Sequence, residues 1–118
     1  MPVATLRTAL PFPPDHAWTA GEPRITPTGQ PLDGTYRDSY CTCGVGRGDD
    51  GELAILLGRT LDILEDRRDV LLDLRAKGAT VAFFVTWAPD VDSGETFDAD
   101  LLGRMAGLGI ALGLNVLP

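Results

Sequence analysis

Cys41-Thr42-Cys43 and the lone histidine, His16, are the residues of this chain best suited to thiol or soft-metal chemistry. Residues two apart on a strand share a face, and a rise of ~3.3 Å per residue sets the two thiols about 7 Å apart. A disulfide across one intervening residue would be strained. With His16 the two cysteines make three zinc ligands, but zinc needs a fourth, and the usual Cys-x-x-Cys spacing is absent. They read as small, mostly buried hydrophobes, with a metal or redox role as the weaker alternative. No metal and no cofactor is expected.

Gly46-Arg47-Gly48-Asp49-Asp50-Gly51 fits G-x-G-x-x-G between a strand and a helix, where a dinucleotide loop would sit. Asp49 and Asp50 would repel the pyrophosphate that such a loop attracts. They are better placed as favourable charges near the helix's positive end. Asp90-x-Asp92-x-Gly94-Glu95 opens like a calcium loop, but its glycine comes one position early and Leu101 stands where a bidentate Glu is required. It reads as a solvated turn leading to a helix cap. No serine or cysteine lies near His16 in sequence, so no nucleophile–histidine–acid set stands out and no catalytic residue is assigned. Trp18, on a Pro-rich loop, either folds onto its own core or anchors a partner. Glu22, Arg37 and Asp38 could give that loop polar partners or tie it to a sheet. The candidate binding residues are therefore His16, Trp18, Glu22, Arg37 and Tyr40.

These residues must be positioned by the elements around them. Residues 4–10 suit a short helix, stopped by Pro11, Pro13 and Pro14. Residues 11–34 hold six prolines and three glycines, which argues for an ordered irregular segment with a short extended piece near Ile25. Residues 36–45 read as a strand. Leu53, Leu56, Leu57, Leu61 and Leu64 then recur at helical spacing, and Val70, Leu71 and Leu74 resume the stripe after the charged run 65–69. The expectation is two abutting helices or one bent helix, ended at Lys77-Gly78. Residues 79–87 are apolar on both alternating sets, as in a central strand covered on much of both faces. Asp98 suits the N-cap of a helix carrying Leu101, Leu102, Met105 and Leu108. Ile110, Leu112, Leu114 and Val116 alternate as a closing strand. Their row should share one side of a sheet with Val81, Phe83, Val85 and Trp87, beneath the helices.

A length of 118 residues leaves room for a single domain. It divides into residues 1–35, a short helix plus a Pro/Gly-rich segment, and residues 36–118, a strand–helix–strand–helix–strand core. The hydrophobic fraction of 44 % fits a globular chain. No apolar run approaches a membrane span, and residues 1–12 lack a signal-peptide core, so a cytoplasmic protein without membrane association is expected. The formal charge is −7. Residues 1–48 balance Arg7, Arg24, Arg37 and Arg47 against Asp15, Glu22, Asp33 and Asp38, so the excess lies beyond them. A negative field disfavours nucleic acid and suits another protein, a basic one. Arginine supplies nine of the ten basic residues, Lys77 the other, which looks like the codon bias of a high-G+C bacterium.

Four pieces in order resemble the bacterial family DUF4279. They are a short helix running into a Pro-rich turn and Trp18-x-x-Gly21-Glu22-Pro23; Arg37 followed by Tyr40 at a strand start; the leucine-rich helix 53–64 with its continuation to Leu74; and Phe97-Asp98-Ala99-Asp100-Leu101-Leu102 leading to Leu108-Gly109-Ile110. The resemblance covers nearly the whole chain. It departs in lacking the family's first strand and in having Tyr40 where tryptophan is usual. A missing first strand would leave a sheet edge able to pair with a second copy, so a homo-oligomer is one expectation. The resemblance implies an α+β fold and no activity. The expected architecture is a small antiparallel or mixed sheet of three to four strands with two or three helices packed on it. The leading expectation of function is a non-catalytic protein-binding or immunity-type domain. The alternative is a small enzyme or ligand-binding domain with a pocket between the Pro-rich segment and the sheet.

Overall fold

The Pro-rich segment carries more strand than its composition suggests. The computed structural model describes residues 3–26, 28–47, 51–87 and 94–117, which fall into two compact units, residues 1–45 and 46–118. In the first unit, helix α1 (Val3–Ala9) is followed by strands β1 (His16–Trp18), β2 (Pro23–Ile25), β3 (Pro31–Thr35) and β4 (Tyr40–Thr42). Strands β2 and β3 each begin with proline, a position where the missing N–H costs no ladder bond. They form an antiparallel hairpin, and β1 pairs antiparallel with β4 around it. Residues 36–39 are not strand, although the Tyr36 N–H donates to the Glu22 carbonyl and its carbonyl accepts from Gly21. The buried apolar residue among this unit's described residues is Ala9; Trp18 and Tyr36 are half-buried.

The second unit holds the leucine core. Helix α2 (Leu53–Leu64) runs through a 3₁₀ turn (Glu65–Arg67) into α3 (Arg68–Ala76), so the charged run does break the stripe into two abutting helices. Helix α3 stops in a Schellman motif. The Ala79 N–H donates to the Leu74 carbonyl and the Gly78 N–H to the Arg75 carbonyl, with Gly78 at φ +92°. Strand β5 (Val81–Trp87), helix α4 (Ala99–Gly107) and strand β6 (Ile110–Val116) follow. The Asp98 side chain accepts from the Leu101 N–H at 2.8 Å, the cap expected of it. Among the described residues, the unit's buried apolar side chains are Leu57, Leu61, Leu64, Leu71, Leu74, Leu101, Met105 and Leu108 from the helices and the turns that follow them, and Phe83, Val85 and Ile110 from the strands. Each such side chain removed from water contributes ~1.5–3 kcal/mol, so this core dominates the unit's stability. Across it, Arg104 of α4 donates to Asp62 of α2 at 2.6 Å.

The fold is α+β, but among the described residues its strands form three two-stranded sheets in place of one sheet of three to four. Two are antiparallel and the third, β5–β6, is parallel. A helical crossover between two strands returns the chain to the same end of the sheet, and α4 is that crossover. The short Pro-initiated strands pair among themselves. In β5–β6, Val81, Phe83, Val85 and Trp87 lie opposite Ile110, Leu112, Leu114 and Val116, so the two rows share one face. Cover on that face is incomplete: Phe83, Val85 and Ile110 are buried, whereas Leu114 and Val116 are 53 % and 57 % exposed. The opposite face is bare. Phe84, read from the sequence as part of a doubly covered strand, is 73 % exposed and lies over Gly113, where a Cβ would come within 2.9 Å of its ring. Among the described residues no helix is long and apolar enough to cross a membrane.

Candidate functional site

The five candidate binding residues all lie in the first unit, and the structure stacks two of them directly, with a third ring added. Trp18 and Tyr40 are register partners on β1 and β4. Their rings stack with centroids 4.5 Å apart and planes 18° from parallel. Trp18 also stacks on Tyr36, at 4.7 Å and 12°. Cross-strand aromatic pairs of this kind contribute ~0.5–1.5 kcal/mol beyond their buried area, which matters in a unit with little aliphatic core.

Tyr36 was not among the sequence candidates. Its hydroxyl accepts from the Ile25 N–H at 3.2 Å and lies 3.4 Å from the Ile25 carbonyl, fixing its ring against the hairpin. Its position four residues before Tyr40, in a segment poor in aliphatic residues, was the available signal. Tyr40 leaves 44 % of its surface open. The Ser39 hydroxyl accepts from the Ala20 N–H at 3.0 Å, closing the loop beneath the stack.

His16, Glu22 and Arg37 are exposed. His16 is a register partner of Thr42, two residues along β1 from Trp18 and therefore on the same face. Thr42 Oγ1 is buried with no hydrogen-bond partner among the described residues. The Glu22 backbone is tied to Tyr36, and Arg37 follows Tyr36 directly. No ion pair joins the Glu22 and Arg37 side chains. The arrangement is a stacked aromatic platform in a unit whose ionisable side chains His16, Glu22 and Arg37 are exposed.

Cys41 and Cys43 are free thiols, half-buried. Cys43 Sγ lies 3.6 Å from the Phe12 carbonyl oxygen, to which it donates. Burial first, then Cys41 and the Asp15 carboxylate, push the Cys43 thiol from 9.0 up to about 11. A thiol held protonated is a poor nucleophile and a poor metal ligand. Among the described residues no three His, Cys, Asp or Glu side chains converge on a metal-sized point.

In the second unit the helix N-terminus next to the Gly-rich loop is already occupied. The Glu95 carboxylate accepts from the Gly51 N–H at 2.7 Å and from the Ala54 N–H at 2.8 Å. An anion from the chain itself therefore sits where a nucleotide loop would place its phosphate. Asp49, Asp50, Asp90 and Asp92 lie outside the described residues. Among the described residues, open depressions in this unit include two of some size. One, of about 390 Å³, is lined by Arg75, Thr80 and Ile110 among others; the second, of about 570 Å³, lies beside Gly51, Ala54 and Glu95. Neither is lined by His16, Trp18, Glu22, Arg37 or Tyr40. No family model, no curated protein and no solved structure matches the chain.

Proposed function

We propose that this chain is a non-catalytic protein-binding domain of immunity type, a cytoplasmic bacterial member of DUF4279. The observation that carries the proposal is the ring stack, in which Trp18 packs against both Tyr36 and Tyr40 while Tyr40 stays open to solvent. Rigid aromatic groups of this sort lose little rotamer entropy on binding and supply large contact area, which is why they recur as interface anchors. Arg37 and Glu22, exposed in the same unit, add charge for a partner to meet. The acidic excess beyond residue 48 favours a basic partner by steering its approach.

The test is calorimetric titration of the purified chain with the product of an adjacent gene. Trp18→Ala should weaken binding by about 30-fold or more, the scale of an interface hot spot of ~2 kcal/mol. Arg37→Ala, at an exposed side chain outside the folding core, should weaken it severalfold while leaving the circular dichroism spectrum unchanged. Affinity unaltered by both substitutions would refute the assignment of this surface.

A further inference from the structure

Strand β5 has one edge that β6 does not use. The Leu117 N–H donates to the Trp87 carbonyl at 2.7 Å, so Trp87 directs its backbone groups toward β6. Successive residues of a strand point their N–H and C=O groups to opposite sides. Val81, Phe83 and Val85 therefore also face β6, and Ala82, Phe84 and Thr86 turn theirs to the other edge. Among the described residues no strand occupies that edge, since β5 pairs with β6 alone. Two-stranded sheets are marginal by themselves, and parallel pairs normally sit inside larger, covered sheets.

Edges left open in soluble proteins are normally blunted by lysine, proline or a bulge. Val81–Trp87 has none of these: VAFFVTW holds no charged residue, no proline and no glycine, and its ladder with β6 runs without a register shift. The edge is therefore open to a strand that brings no charge to it, and the β5 of a second copy is such a strand. The chain carries a net charge of −7, so two copies repel wherever their acidic surfaces meet, and an uncharged seam is where they can approach. About a two-fold axis through Phe84, antiparallel pairing sets Phe84 of one copy opposite Phe84 of the other, Ala82 opposite Thr86, and Phe83 opposite Val85. This register matches all three outward-facing residues and yields about six ladder hydrogen bonds. We infer that the chain forms a two-fold dimer through β5, giving a continuous four-stranded sheet in the order β6-β5-β5-β6. The seam is isologous, as closed dimers require.

Light scattering on the full chain tests this. At about 100 µM, where a dimer with Kd near 1 µM is almost fully formed, the mass should be twice the chain's 12.6 kDa. Phe84→Lys places two like charges opposite each other at a position exposed in the single copy, and should halve the mass without changing the far-ultraviolet spectrum. Thr86→Pro removes an outward N–H that β6 does not use, and should do the same. Should either variant fold poorly, Phe84→Cys in a Cys41→Ser/Cys43→Ser background decides. Hydrogen-bonded antiparallel partners have Cα atoms about 5.5 Å apart, within disulfide reach, so mild oxidation should give covalent dimer. The exposed control Leu102→Cys in that background should not. A chain that stays at 12.6 kDa, a dimer indifferent to both edge substitutions, or cross-linking no faster at 84 than at 102 would each overturn the inference.

Discussion

Glu95→Ala should destabilise the second unit well beyond the ~0.5 kcal/mol of an ordinary surface substitution. The carboxylate accepts two hydrogen bonds, from Gly51 and Ala54, and sits at the positive end of α2. A hydrogen bond to a charged group contributes ~1.5–3 kcal/mol net, and a charge at a helix N-terminus another 0.3–1. Gly51 is exposed and Glu95 only half-buried, so water reclaims part of both bonds when the side chain is cut back. The remaining loss is about 2 kcal/mol. At 4–8 °C per kcal/mol for a unit of this size, the melting temperature should fall by about 8–16 °C. Glu95→Gln keeps one acceptor oxygen and gives up the charge, and should lose about half as much. Urea and thermal melts followed at 222 nm measure both. The gap between parent and Gln variant should narrow at ~1 M salt, because that part of the effect is Coulombic and screened. An alanine variant melting within ~2 °C of the parent would refute the reasoning and reduce the two short distances to incidental contacts.

Two further outcomes follow from the core and the thiols. Phe83, 8 % exposed and opposite Leu112 in the ladder, should cost about 3–5 kcal/mol when replaced by alanine, whereas Leu114→Ala at its open position should cost under about 1; equal denaturation midpoints for the two would mean the buried row is misassigned. Cys43, held protonated to about pH 11, should react with iodoacetamide at pH 8 about 100-fold more slowly in the folded chain than in urea, read by peptide mass spectrometry. The same shift favours the folded state below pH 9, where the thiol is neutral in both states, and that contribution is lost as pH rises from 9.0 toward about 11.

Much of the second unit was legible because its signals are local. The leucine spacing, the Asp98 cap, the Lys77-Gly78 stop and the alternation from Ile110 onward each occupy a single turn or strand, and the structure places an element on every one. What could not be read was pairing across distance. Glu95 caps a helix more than forty residues upstream, and no window of sequence joins it to Gly51. The first unit misled for a related reason. Proline excluded long elements there, correctly, but it permits strands of three to five residues that start on it. The contact of Trp18 with Tyr40 likewise depends on β1 meeting β4, more than twenty residues away, and not β2. The sheet is smaller than expected because the short strands between residues 16 and 42 pair among themselves, and apolar character on both faces of β5 predicts cover that one face does not receive. The structure leaves Phe84 bare.

The parallel register of β5 and β6 also dictates an order of events. Val81 meets Ile110 across roughly thirty residues of chain, so no ladder bond can form before that loop is closed. Closure is easiest once α4 has shortened the connection, since a helix spans far less than the same residues extended. Folding of the second unit should therefore wait on α4, whose nucleation leans on the Asp98 cap. Strengthening that helix would accelerate folding. Tightening the β5–β6 seam would leave the folding rate alone and slow only the escape from the native state.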